Sequence, residues 1–282
     1  MSAQTFGAAP AEPAVAEGDP DQRRFEARRR ALAWRRRLLP FAALILLLAL
    51  WEAGVAVFHI KPFIAPAPSA VATLLVQQIG MLLQNLAPTA IEAVCGFILG
   101  NLAAIAIATV FVYQRTVEEA FFPIAVMVHT IPVMAYAPIL VLLLGNGMEA
   151  KIAIAAMICF FPTLVNMTRG LRSVTSQQME LMRILSASPR EIFFQVRLKT
   201  ALPYLFSALK IAAATSVIGA IVGEWIGATT GIGALIIQAT YNFNSPLLYA
   251  TIVVGSAFSA LFFGLVSWAE RFFLKWNVGE TG

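Results

Sequence analysis

Few residues of this 282-residue chain carry chemistry, and their spacing decides which chemistry is open to it. No GxxxxGK(S/T) phosphate loop occurs, nor any Gly-Lys dipeptide, so nucleotide hydrolysis by that route is excluded. HExxH and GxSxG are missing as well. The two histidines, His59 and His129, share no spacing with a nucleophile, which leaves an intramembrane hydrolase without machinery. Cys95 and Cys159 lie in apolar blocks with no CxxC and no histidine at ligand spacing, so neither a metal site nor a disulfide framework is expected. The chain is expected to bind no cofactor of its own.

What remains are polar groups set in apolar sequence: Glu52, Glu92, Asn101, His129, Asn166 and Glu224. In hydrocarbon each needs a partner or water. His129 stands before Thr130 and before the prolines that follow Ile131 and Ala137, and with Tyr136 it is a candidate for lining a solute path; a helix-packing hydrogen bond is the alternative. Glu224 and Trp225 follow Gly223 in a glycine-punctuated stretch where a backbone break could line a cavity. A helix-end glutamate at headgroup level is the alternative there. Tyr136, Trp225, Tyr241 and Phe243 could stack on an aromatic solute, although Trp and Tyr also gather at interfaces for their own reasons.

The elements that must position these groups are membrane spans. Hydrophobic residues make up 59% of the chain, charged ones 12%, and the mean hydropathy is +0.78. Crossing a core of roughly 30 Å takes about 20 apolar residues, and the blocks here are that long. Six spans are expected, near residues 38–58, 86–112, 120–144, 152–167, 203–223 and 250–268. Pro123, Pro132 and Pro138 predict a kinked or interrupted third span. Residues 59–85 read as an external loop with a surface helix, and 238–249 as a second external loop. Gly96, Gly100, Ala104 and Ala108 recur every fourth residue, as do Gly219, Gly223, Gly227 and Gly231, so both series read as close-packing faces. No inverted repeat is evident.

The net charge of +5 does not point to nucleic acid, because the basic residues cluster beside spans. Seventeen of the twenty, including eight arginines between residues 23 and 37, fall on one face, which the positive-inside rule makes cytosolic. Both termini share that side. Residues 1–37 read as an irregular, Arg-rich cytosolic tail that could also bind anionic lipid, and 276–282 as a short cytosolic tail. No cleavable signal peptide is expected, and residues 38–275 form the membrane domain.

One polar stretch, residues 176–203, interrupts the apolar blocks on the cytosolic face. Ser188, Pro189 and Glu191 form a capping box with proline in the first turn, and Thr175 with Gln178 offers another start signal. Two short amphipathic helices are therefore expected, bent at Ser186-Ala187-Ser188 and ending at Pro203. Such a pair suits either an interfacial anchor or a docking surface.

The order of residues in this stretch resembles the EAA signature of ABC importer permeases: Glu180, then Leu181 and Met182 in the small-residue slots, Ser186 in the glycine slot, Ala187 and Ser188 after it, Val196 in the isoleucine slot. Leu198-Lys199 stands where Leu-Pro is usual, and a Leu-Pro follows at Leu202-Pro203. Together with HTIPVMAYAPILVLLLGNGMEAKI, CFFPTLVNMTRGLRSV and GEWIGATTGIGALI, the chain resembles permeases of the nitrate/sulfonate/taurine type, in particular the branch carrying thiamine-precursor pyrimidines or riboflavin. That resemblance implies an all-α integral membrane protein of about six helices in a bacterial inner membrane. It implies a cytosolic two-helix loop that couples to ATP- and Mg-using subunits, an external solute-binding protein and a second permease copy. The glycine slot is where the bend takes a positive φ, and Ser186 there is expected to cost about 1 kcal/mol. An ion-coupled secondary carrier and a non-transporting anchor are the rival classes.

Overall fold

The computed structural model describes residues 20–274, with side chains from residue 38. The expected tail over 1–19 and the tail 276–282 lie outside the described residues. The chain divides into two units, residues 1–59 and 60–282. The first holds one helix, α1 (Pro20–Val57), whose Leu38–Val57 portion is long and apolar enough to span a bilayer. The helix starts at Pro20, so the stretch to residue 37, expected to be irregular, is helical. Proline suits a first turn, and the Arg- and Ala-rich residues behind it are strong helix formers.

The second unit runs through α2 (Pro68–Gln77), α3 (Ile79–Tyr113), α4 (Arg115–Thr130), α5 (Val133–Leu144) and α6 (Met148–Arg172). Then come α7 (Ser176–Ile184), the short turn α8 (Pro189–Glu191), a π-helical turn Ile192–Arg197, α9 (Leu198–Glu224), α10 (Ile232–Tyr241) and α11 (Ser245–Phe273). Five helices are long and apolar enough to cross a membrane, and α4 with α5 make a sixth span bent by 100°. The six expected spans are all present. The interruption of the third falls at Ile131-Pro132, where Ile131 takes the extended backbone (φ −70°, ψ 125°) favoured before proline.

At the centre, α3, α6 and α9 pack through small residues. A methyl added at Gly96 would meet Ala155, one at Gly100 would run into the Ala156 backbone, and one at Gly219 would strike Ala155 from the other side. Ala104 and Ala108 continue the stripe and are fully buried. The second expected ridge stops at Gly223. Gly227 and Gly231 lie in the turn after α9 with φ of +77° and +119°, so their role is conformational. Hydrogen bonds reinforce the core, with Thr163 Oγ1 donating to Asn101 Oδ1 at 2.5 Å.

Three boundaries differ from expectation. The second span reaches back to Ile79 and leaves only α2 for the surface helix. Residues 238–249 are largely helical, because α10 continues to Tyr241 and α11 starts at Ser245, where the Leu247 N–H donates to Asn244 Oδ1 at 3.2 Å. Their polar residues are spread around helix ends and do not form a loop. Pro203 ends nothing: the chain is helical without interruption over Pro189–Glu224. Here the flanking packing, including Ala201 against Gly170, outweighs the single donor that proline removes.

Candidate functional site

Residues 173–203 form an elbow between α6 and α9. The predicted capping box at Ser188 is present, and the start signal at Thr175 proves to be a second one: the Gln178 N–H donates to Thr175 Oγ1 at 3.3 Å, and the Ser188 N–H donates to Glu191 Oε2 at 2.7 Å while Ser188 Oγ accepts from the Glu191 N–H at 3.3 Å. Between them α7 ends in a Schellman motif. The Ser186 N–H reaches Arg183 O at 2.9 Å and the Ala187 N–H reaches Met182 O at 3.0 Å. Ser186 sits at the left-handed position with φ +52°, as the glycine-slot reading requires. One helix end therefore runs directly into the next helix start, and the bend has no free backbone residue to flex.

The base of the elbow is tied to the bundle. Arg197 Nη1 donates to Leu171 O at 3.1 Å, Tyr113 and Phe193 rings lie 5.9 Å apart, and Arg172 pairs with Glu118 of α4. Its tip is open. Glu180 is exposed and unpaired among the described residues, and Leu181, Ile184 and Leu185 are 56%, 76% and 65% exposed. Leu181, Met182 and Val196 come together in a groove of about 260 Å³ between α7 and the π-helical turn. Ser186, Ala187 and Ser188 form the bend itself, whereas Leu198, Leu202 and Pro203 belong to α9 and face the bundle, half-buried.

The four expected pathway residues separate into two places. His129 and Tyr136 border one cavity of about 220 Å³, in the angle of the α4–α5 break against the middle of α6. The His129 ring lies nearly parallel to Phe161, with centroids 4.2 Å apart at 16°. Glu224 and Trp225 are elsewhere, at the far end of α9. Trp225 is the C-cap and 38% exposed, and Glu224, the last residue of α9, is 1% exposed, enclosed by its neighbours.

Around Glu224 is a cluster that sequence reasoning missed in part. Its Oε1 accepts from Thr89 Oγ1 at 2.5 Å and its Oε2 from the Gly233 N–H at 2.5 Å. Thr89 Oγ1 also accepts from the Ile232 N–H at 2.9 Å, and Asn85 Oδ1 from the Gly231 N–H at 3.1 Å. Nearby, Lys151 of α6 is 3.9 Å from Glu92 of α3, both buried, and Asn146 Nδ2 donates to Gly227 O at 2.7 Å. The turn from Trp225 to Gly233 is thus fastened to α3, to the end of α9 and to the loop between α5 and α6. Glu92 and Glu224 stood out as intramembrane acids, and Lys151, just before the expected fourth span, was the available signal for a partner.

Comparison with known proteins now fits this geometry. Residues 96–275 match the family described as the binding-protein-dependent transport system inner membrane component, and the chain belongs to that family. It is a permease component of an ABC importer. Among its relatives, the formylaminopyrimidine transport permease protein ThiX of Halalkalibacterium halodurans is 30% identical over 241 residues, 85% of this chain and 96% of that one. The riboflavin transport system permease protein RibX of Chloroflexus aurantiacus is 32% identical over 236 residues, 83% of this chain and 88% of that one. The fold is also that of a chain in the inward-facing MetNI methionine ABC transporter, with a TM-score of 0.58 at 20% identity over 71% of this chain and 98% of that one.

Proposed function

We propose that this permease forms the translocation pathway of an ATP-driven importer for a small organic solute, of the thiamine-precursor pyrimidine or riboflavin kind. Its elbow is the docking site for a separate ATP-hydrolysing subunit, which uses ATP and Mg. An external binding protein delivers the solute, a second permease copy completes the pathway, and the elbow and both termini face the cytosol. The observation that carries the reading is the elbow: doubly capped, rigid at its bend, with the Glu180 acid and the Leu181, Ile184 and Leu185 side chains turned outward. Such a tip can pass on a displacement because it does not bend. Closure of two ATP-hydrolysing subunits would bring two elbows together and switch the cavity from inward to outward opening.

The identity of 30% and 32% to the formylaminopyrimidine and riboflavin permeases, against 26% to an aliphatic sulfonate permease and 28% over a shorter stretch to a nitrate permease, supports a pyrimidine- or riboflavin-like solute over a sulfonate or nitrate. The test is solute uptake by cells co-expressing the chain with its ATPase and binding protein, beside Glu180→Lys and Ser186→Phe variants. Both variants are expected in the membrane at wild-type level with uptake abolished. Normal uptake by both, or uptake that persists after ATP depletion, would falsify the coupling assignment.

A further inference from the structure

The cavity at the α4–α5 break has a composition that selects among solutes. We infer that it is the station at which the permeating solute is held, and that it takes an uncharged, single-ring nitrogen heterocycle of the aminopyrimidine class. The inference rests on the importer reading and narrows it.

Size comes first. Pockets for drug-sized ligands run from about 300 to 1,000 Å³. At about 220 Å³ this cavity holds one ring with small substituents and is short of room for a three-ring flavin. Charge comes next. None of its ten lining residues is Lys, Arg, Asp or Glu, so a sulfonate or nitrate would lose its hydration with no cation to replace it. The wall chemistry then fits a flat heterocycle. His129, Tyr136, Phe160 and Phe161 bring four aromatic rings to one small space, and Phe161 holds the His129 ring in a fixed plane. Aromatic rings favour offset stacking with one another. The imidazole nitrogens and the Tyr136 hydroxyl supply donors and acceptors for ring nitrogens and an exocyclic amine.

The backbone adds a fourth element. At the break at Ile131-Pro132, Met127 O accepts from Thr130 Oγ1, Val128 O from the Ile131 N–H and Pro132 O from the Ala135 N–H, which leaves the His129 and Thr130 carbonyls and the Val133 and Met134 N–H groups without backbone partners among the described residues, beside Ile131 and Val133 of the cavity wall. Irregular backbone at membrane depth persists where it lines a cavity. Here that cavity would offer its free polar groups to the edge of a polar ring.

The experiment is equilibrium binding of radiolabelled formylaminopyrimidine to the purified permease–ATPase complex in nanodiscs, without binding protein. Wild type is expected to bind, and riboflavin and taurine in excess are expected not to displace the label. His129→Ala should weaken binding by about tenfold or more through loss of a stacking ring and its nitrogens. His129→Phe, which keeps the ring, should lose less, and Val133→Trp, which fills the cavity, should abolish binding. All three variants should retain the ATPase subunit on purification. If the wild-type complex forms and does not bind the label, if taurine displaces it, or if His129→Ala and Val133→Trp bind as wild type does, the inference is overturned. If no ATPase subunit co-purifies with the wild-type chain, the importer reading itself fails.

Discussion

The two ends of the bundle are fastened in opposite ways. At the elbow every fixing hydrogen bond of the bend joins residues three to five apart, from Thr175 with Gln178 to Ala187 with Met182. At the far end the turn after α9 is fixed by partners far away in sequence: Thr89 lies 135 residues from Glu224, and Asn85 lies 146 from Gly231. Each end uses left-handed backbone, Ser186 at φ +52° in one and Gly227 and Gly231 in the other. The difference is what stands behind them. The elbow holds its own shape while leaving its surface free, as a part to be gripped requires. The turn adds to its few local bonds, such as the Ala228 N–H to Glu224 O at 3.2 Å, anchors supplied by elements distant in sequence.

The contrast can be broken deliberately. Lys151→Met should do the most damage, because it leaves Glu92 buried without its cation; loss of one member of a buried pair costs about 3–5 kcal/mol. Thermal unfolding in detergent should show a sharply lowered midpoint, and the double variant Lys151→Met/Glu92→Gln should recover much of it. Wild-type stability in the single variant would mean the pair does not hold the far end. Gly231→Ala should follow, at about 2–3 kcal/mol, since alanine strains φ +119° and its methyl meets the Glu224 carboxylate. At the elbow, Ser186→Gly should raise stability by about 1 kcal/mol and leave uptake intact, because glycine carries no left-handed penalty. Smallest is Ser188→Ala, about 1 kcal/mol or less from one lost cap in an exposed bend. If Ser188→Ala unfolded the chain as readily as Lys151→Met, the two ends would not differ as described.

Local determinants were legible and distant ones were not. Both capping boxes, the positive φ at Ser186 and the interruption near Pro132 could be read because each depends on residues within one turn. Even so, Pro88, Pro123, Pro138, Pro162 and Pro203 look like Pro132 in sequence and lie inside their helices, whereas Pro132 falls at a break. Around Pro203 the close approach of Ala201 to Gly170 holds the helix line, information that resides in α6. The Gly227–Gly231 spacing imitated a packing ridge because a period of four is shared by ridges and by chance spacing in a turn. His129 and Tyr136 were identifiable as polar and aromatic groups flanking a break; Phe160 and Phe161 of α6, which complete their cavity, carry no local mark.

The uninterrupted helix over Pro189–Glu224 links the two ends. At 1.5 Å per residue its 36 residues form a rod of about 54 Å. Glycines zip it to α6 at both extremities, Gly170 against Ala201 near the elbow and Gly219 against Ala155 near the turn. In mechanical terms the pair is a stiffened lever whose handle is the elbow. A tilt of about 5° at the handle arrives at the other end as a sweep of roughly 5 Å. Because Glu224 is bolted to the turn through Thr89 and Gly233, that sweep cannot be absorbed by a hinge there and must carry α10 with it.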